Sequence, residues 1–509
     1  MCTSFFLSVL NITAIYSTEL INNAGHITYE GDYSHLSTVQ RVAKNTGIVI
    51  LGEIVCKIIA LFTVIYLARY LQPVEFGKYS FVFAYLAFFG EITDLGLKKI
   101  LVREIARDGS MTSKLIGNAR IIKLSLSTFA ITLAIIIISF MSYPSDTTTY
   151  VYIASFTLLF ISFSDLYTTI FQANLQMEYS IIARVVYRIF YAILIFWIIF
   201  SHGSLMQVVV AMVLSEVLKS SVNFLFSRKF VKPKFTIDFK LCGYLLKESL
   251  PLALLGFTWV IYHKTDIIML SMLRGDASVG LYSAAFQLIE PLGFIGSALM
   301  ISVFPLMSNY FVSSKEKLIK SYKFSVKYLL IIAFPVVIGI SLLADKVIFL
   351  VYGPSFSDST AALRLLIWAF IFISTNSVLM NLLISINQQK LTALSAGICA
   401  IVNVILNLIL IPQLSYTGAA IATVVTNAVL FMLNFYFVSK HLLVLPVHKI
   451  LVKPVIGVLV MGGFIYCLEN LSLFLLVPLS AGVYLVILLI LRTFSDEDWN
   501  MVKKLINKG

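Results

Sequence analysis

Between Ser249 and Tyr310 the chain reads SLPLALLGFTWVIYHKTDIIMLSMLRGDASVGLYSAAFQLIEPLGFIGSALMISVFPLMSNY. Two long apolar runs are joined by a short turn around residues 274–279, and a polar patch, His263, Lys264 and Asp266, sits inside the first run. Each run reaches the ~20 residues that a helix needs to cross a bilayer. The arrangement has an echo near the front of the chain. LQPVEFGKYSFVFAY (71–85) and LRGDASVGLYSAAF (273–286) share a Leu, a short turn containing an acid, and Gly-x-Tyr-Ser opening the next apolar run. Gly77, Tyr79 and Ser80 thus answer to Gly280, Tyr282 and Ser283. Both copies lie between the first and second long spans of a half, which is where an internal repeat places equivalent turns. The charges do not repeat: Glu53 and Lys57 have no counterpart in the second copy.

Working outward, the whole chain is of the same character. Only 12% of its 509 residues are charged and 59% are apolar, with a mean hydropathy of +0.94, so no water-soluble surface can be drawn for it. About fourteen apolar runs of spanning length follow one another from residue 46 to residue 491. The formal charge of +13 does not point to nucleic acid, because the basic residues are sorted by loop. With the N terminus inside, 26 of the 38 Lys and Arg fall in cytoplasmic segments and three, Arg69, Lys78 and Arg274, in outer loops. An even number of spans with both ends cytoplasmic, in a cell membrane, is the expected topology. The five cysteines are far apart and form no CxxC pair, so neither zinc nor a disulfide framework is suggested.

The expected organisation is a loosely held tail over residues 1–40, a first six-helix lobe over 41–228, a basic cytoplasmic linker over 229–247, a second six-helix lobe over 248–440, two further spans over 441–492 and a cytoplasmic amphipathic tail over 493–509. Lys98 to Asp108, KKILVREIARD, reads as a basic amphipathic segment on the membrane surface. Arg120 and Lys123 open the third span and are shallow enough to snorkel. Pro291, Pro305 and Pro335 mark spans that can bend.

Catalytic chemistry finds no foothold. There is no P-loop, no GxSxG, no HExxH and no nucleotide fingerprint. Outer loops of a few residues leave no room for the acidic or metal-binding platform of a membrane glycosyltransferase. The acid-x-acid triplet Asp496-Glu497-Asp498 is explained by helix capping, so no catalytic residue, metal or organic cofactor is expected. What remains is a set of ions at bilayer depth, each costing ~2.5 kcal/mol or more unless paired or hydrated. Arg184, Tyr187, Arg188 and Tyr191 recur at helical spacing in the fifth span, and Glu216, Lys219 and Asn223 do so in the sixth. Arg188 lies on the order of 13 Å in from the cytoplasmic end. One account is local neutralisation, Lys57 by Glu53 and Lys219 by Glu216. The other is convergence: Lys57, Arg184, Arg188, His263 and Lys264 against Glu53 and Asp266 leave surplus positive charge, suited to a phosphate or diphosphate, with Tyr and Asn stripes suited to sugars.

Several pieces together resemble a known family. They are ARYLQPVEFGKYSFVFAYL with DLGL and VREIAR behind it, ESLPLALLGF, TDIIML followed by VGLYSAAFQL, SVFPLMS, VYGPSF with ALRLL, and NVILNLILIP with TGAAIAT. In order and spacing they are similar to the Wzx-like polysaccharide or oligosaccharide flippases of the multidrug/oligosaccharidyl-lipid/polysaccharide exporter superfamily. The resemblance covers roughly residues 41–436 and implies two six-helix lobes in a V that alternates between inward and outward openings, plus two C-terminal helices. It carries Asp94, Asp266, Gly77 and Gly280 as motif positions, the glycines at turns or hinges, and a lipid-linked oligosaccharide on a polyprenyl phosphate or diphosphate as cargo. Expected partners are membrane lipids and the glycan polymerase or glycosyltransferases of the same pathway. Asp266, with Asp165 and Glu290 behind it, is the candidate to hold a coupling cation, sodium or a proton. The competing function is a cation-coupled drug or metabolite exporter of the same superfamily, which calls for an acidic interior where this chain leans basic.

Overall fold

The computed structural model describes residues 38–231 and 237–494. The expected tails, 1–40 and 493–509, lie almost wholly outside these residues, as does the middle of the 229–247 linker. Among the described residues every regular element is an α-helix or a short 3-10 turn. In chain order the helices are α1 (Thr38–Asp94), α2 (Leu97–Arg107), α3 (Thr112–Phe140), α4 (Ser145–Ser155), α5 (Thr157–Ala173), α6 (Met177–Phe200), α7 (Leu205–Ser227), α8 (Phe239–Arg274), α9 (Asp276–Ile289), α10 (Gly293–Ser313), α11 (Lys315–Leu342), α12 (Ala344–Tyr352), α13 (Ser359–Leu366), α14 (Ala369–Ser385), α15 (Gln389–His441), α16 (Val447–Cys467) and α17 (Leu473–Ile490).

Among the described residues, twelve helical stretches are long and apolar enough to cross a membrane. The expectation of about fourteen spans differs from this because two helices are too long for one crossing. A straight helix of the 57 residues of α1 would run ~85 Å, against a hydrocarbon core of ~30 Å. It breaks at Gln72, whose backbone (φ 62°, ψ 170°) is non-helical, just before Pro73, which has no N–H to continue the ladder. The Gln72 amide donates back to the Arg69 carbonyl at 2.6 Å. α15, of 53 residues, breaks in the same way at Ser415, three residues after Pro412. The count depends on how these two broken helices are divided. Of the prolines expected to bend spans, Pro291 lies in a 3-10 turn that separates α9 from α10, while α10 and α11 run on through Pro305 and Pro335.

The chain forms two compact units, one ending at Gly280 and the other running from Leu281. In the first, α2 lays Leu97, Leu101 and Ile105 against Leu115, Ile116, Leu166 and Leu245, sealing the ends of α3, α5 and α8. The turn that aims α2 is Leu95-Gly96, both left-handed, and a Cβ on Gly96 would collide with Leu252 of α8, which explains the glycine in DLGL. α8, expected with the second lobe, packs on α1 and α2 of the first unit. Its N-terminus is tied there by polar contacts. Lys114 pairs with Asp238 at 2.6 Å, the Asp238 N–H donates to Asn118 at 2.7 Å, and Arg103 pairs with Glu248 at 2.9 Å. Asp238 also caps α8, accepting from the Leu241 N–H at 3.1 Å. The Lys114 ammonium, and then this cap, hold its carboxyl below the usual carboxylate range.

In the second unit α10, α11, α14 and the C-terminal limb of α15 share a core built on Met307, Tyr322, Leu382 and Val438. The two appended helices dock on α11, where the Tyr484 hydroxyl of α17 donates to the Ile331 carbonyl at 2.9 Å. Large apolar side chains such as Trp197, Phe200, Leu459 and Phe474 face outward, as lipid-exposed surface requires.

Candidate functional site

The polar stripes expected on the fifth and sixth spans are on α6 and α7 of the first unit. Their facing partners come from α1, which packs along α6. Because positions i, i+3, i+4 and i+7 share a helix face, Arg184, Tyr187, Arg188 and Tyr191 form one column on α6. Tyr187 and Tyr191 lie parallel, ring centroids 6.2 Å apart with an interplanar angle of 3°. The Tyr191 hydroxyl meets that of Tyr79, from the repeated Gly-x-Tyr-Ser motif, at 3.2 Å. The sequence signal for Tyr79 was the motif; its role as the far wall of the tyrosine column needed the fold.

The cations divide into committed and uncommitted. Glu53 pairs with Arg184 on the neighbouring helix, not with Lys57 on its own as helical spacing had suggested. Lys219 pairs with Glu216 at 2.5 Å, as expected, and its ammonium also lies 4.9 Å from the Tyr187 ring centroid. Arg188 has no carboxylate within ion-pair distance among the described residues. Its guanidinium sits 5.3 Å from the same Tyr187 ring, and its Nε is sealed from solvent with no hydrogen-bond partner. Tyr187 is therefore flanked by two cations. Glu216, at 6% exposure, balances only one of them. Lys57 is exposed on α1, one turn beyond Glu53.

On α8, His263 is packed between aromatic rings, 4.5 Å from Trp259 and 4.7 Å from Tyr262 by centroid. That favours a core role for it over an anion contact. Its neighbour Lys264 is half-buried, with no carboxylate within ion-pair distance among the described residues. Asp266 is buried at 3% exposure. Glu290, in the second unit, is exposed at the 3-10 turn after α9.

A second ionic group, which the sequence did not assemble, lies where α1, α2, α3 and α5 meet. Lys123 pairs with Asp94 at 2.8 Å and Lys98 with Asp165 at 2.9 Å. Lys123 has no solvent exposure at all, so it does not snorkel: its ammonium turns inward to Asp94. That pairing gives the Asp of DLGL a structural role. Asp165 is likewise held by a lysine. Glu91, overlooked in the sequence, lies against Gly256 of α8, where any side chain would run into its carboxylate.

The motif glycines meet each other. Gly77 and Gly280 both sit inside helices with ordinary right-handed backbone. A Cβ on Gly77 would overlap the Asp276 carbonyl, and one on Gly280 would overlap the Pro73 carbonyl. What these positions provide is backbone-to-backbone approach of the two copies of the repeat within the first unit, not a turn. Among the described residues no group of His, Cys, Asp or Glu is placed to hold a metal ion.

Comparison with known proteins places this arrangement. The profile of the polysaccharide biosynthesis protein family matches residues 42–311, and that of the MatE family matches residues 251–409. The probable low-salt glycan biosynthesis flippase Agl15 of Haloferax volcanii is 24% identical over 225 residues, 44% of this chain and 48% of that protein. The lipid II flippase MurJ of Bacillus subtilis is 26% identical over 173 residues, 33% of this chain and 31% of that protein. The chain thus spans about half the length, or less, of these relatives. Among solved structures, the lipid II flippase MurJ in an inward closed conformation superposes with a TM-score of 0.73 at 17% identity, covering 87% of this chain and 97% of that one. An inward-facing multidrug resistance MATE family transporter of the MOP superfamily superposes with a TM-score of 0.64 at 18% identity, covering 76% and 94%. The fold is the one these two solved structures share, and with a family profile covering more than half of its length the chain belongs to the polysaccharide biosynthesis protein family.

Proposed function

We propose that this chain is a flippase, not an enzyme, that moves a polyprenyl-phosphate- or diphosphate-linked oligosaccharide from the cytoplasmic to the outer leaflet by alternating access, for cell-surface polysaccharide or glycan assembly. The observation that carries the reading is Arg188: a guanidinium at membrane depth with no carboxylate in ion-pair reach among the described residues, a sealed Nε and a tyrosine column beside it. An uncompensated cation in such a place is costly unless an anion visits it, and the fork of an arginine suits phosphate oxygens. Tyr187, Tyr191 and Tyr79 offer ring faces and hydroxyls to the sugars. Lys264, and Lys57 at the edge, supply further positive charge; the packing of His263 leaves it a supporting part. Asp266, buried in α8, is the first candidate for a coupling cation, with Asp165 and Glu290 behind it. The likeness to a glycan biosynthesis flippase and to a lipid II flippase supports a lipid-linked glycan as cargo; in this reading both termini are cytoplasmic and the enzymes of the same glycan pathway are the partners.

The test is flipping of a fluorescent lipid-linked oligosaccharide in proteoliposomes. Arg188→Gln is expected to slow flipping roughly 30-fold or more, the equivalent of ~2 kcal/mol for a desolvated charge contact, with unchanged protein incorporation. Wild-type flipping by that variant overturns the reading. Accumulation of cationic dyes in place of glycan flipping would move the chain to the exporter class.

A further inference from the structure

This inference rests on the anion-site reading above and concerns which carrier the site accepts. α6 presents two arginines one turn apart, and they differ in one respect: among the described residues Arg188 has no carboxylate in ion-pair reach, whereas Arg184 is held by Glu53. The Glu53–Arg184 pair is open. The two acids are alike, Glu53 at 29% and Asp94 at 26% exposure, and the cations differ: Arg184 keeps 35% of its side-chain surface exposed and Lys123 none. A guanidinium that is partly accessible can be reached by an incoming anion, which competes for it through the same charge-assisted hydrogen bonds. Glu53 has a second cation to turn to, since Lys57 is four residues on in the same helix with the acid N-terminal to the base, the favourable orientation for a pair within one helix.

We propose that Glu53 is a built-in stand-in anion that makes the site selective for a diphosphate-linked over a monophosphate-linked carrier. Without cargo, Glu53 holds Arg184. The first phosphoryl group of the cargo engages Arg188, and the second takes Arg184 from Glu53, which turns to Lys57. A monophosphate has one group for a guanidinium fork and leaves Arg184 with Glu53; a diphosphate has two adjacent ones. The remaining charges nearby do not interfere. Glu216 is held by Lys219, and the Tyr79 and Tyr191 hydroxyls hold each other.

The experiment compares calorimetric binding of geranyl diphosphate and geranyl monophosphate to the full-length purified protein. Wild type is expected to prefer the diphosphate by about tenfold or more, a difference of ~1.4 kcal/mol. Arg184→Gln should bring the diphosphate down to the affinity of the monophosphate and leave the monophosphate unchanged, and Arg184→Lys, which keeps the charge and loses the fork, should fall between. Glu53→Gln, which removes the competing anion, should open Arg184 to either ligand, tightening the monophosphate more than the diphosphate and narrowing the preference. A preference that survives in Arg184→Gln, or one undiminished in Glu53→Gln, overturns the proposal. Equal binding of the two ligands by wild type sinks the selectivity alone, whereas no binding of either, or binding unaffected by Arg188→Gln, sinks the anion site itself.

Discussion

The two units of the molecule, as far as their described residues go, satisfy polar groups between apolar helices by different means. In the first unit the interior carries ions: Glu53 with Arg184, Asp94 with Lys123, Lys98 with Asp165 and Glu216 with Lys219. In the second the corresponding work is done by neutral groups, among them the Asn434 amide donating to Asn376 at 2.9 Å, the Asn407 amide donating to Asn403 at 3.1 Å, and the Tyr282 and Thr423 hydroxyls 2.9 Å apart. Arg364 and Asp345, which approach to 3.9 Å, are both more than half exposed. One device is common to both. Asn223 of α7 donates to Ser164 of α5 at 2.8 Å, and Asn434 of α15 meets Asn376 of α14 in the equivalent pair of spans of its half. Helix contacts of one kind are thus open to different chemistry, because a neutral hydrogen bond and an ion pair both satisfy buried groups.

The contrast predicts unequal losses. The largest is at the Asp94–Lys123 pair: Lys123→Met strands a carboxylate among α1, α3 and α5 and should cost ~3–5 kcal/mol, while the double change Lys123→Met with Asp94→Leu should recover most of it. Thermal unfolding in detergent reads both, and equal losses for the single and double variants would mean that the pair is not what holds those helices. A smaller loss belongs to the neutral half. Asn434→Ala leaves the Asn376 carbonyl without its donor and should cost ~1–3 kcal/mol; a loss as large as that of Lys123→Met would erase the distinction between the halves. The smallest is at the surface, where Lys114 and the cap of α8 hold Asp238. Its carboxyl titrates below the unfolded range, so its stabilising contribution is complete above the unfolded value of ~3.9 and drains away as pH falls below that. Asp238→Asn should therefore be slightly less stable than wild type at neutral pH and converge with it in acid. A gap that widens in acid would contradict this sign.

Much of the fold was legible in the chain because hydropathy and length alone decide what can cross a bilayer. The helical spacing of Arg184, Tyr187, Arg188 and Tyr191 was legible for the same reason, as was the Glu216–Lys219 pair, since both partners ride on one helix. Spacing fails once a partner lies on another helix. Glu53 had Lys57 within reach and took Arg184; Lys123 had a route to the membrane surface and took Asp94. Nothing in the neighbourhood of Glu91 along the chain marks it, and only the approach of α8 gives it a setting.

By itself, then, the sequence determined that this is a helical membrane protein with an internal repeat, an ion-bearing first half and a resemblance to glycan flippases, because those properties are sums over composition, period and order. Only the tertiary structure decided which arginine is already engaged and which is not, and that Gly77 and Gly280 exist to let two backbones touch. Pairing between helices is a property of distances in space, and a few ångströms of packing outweigh any preference written along a single turn.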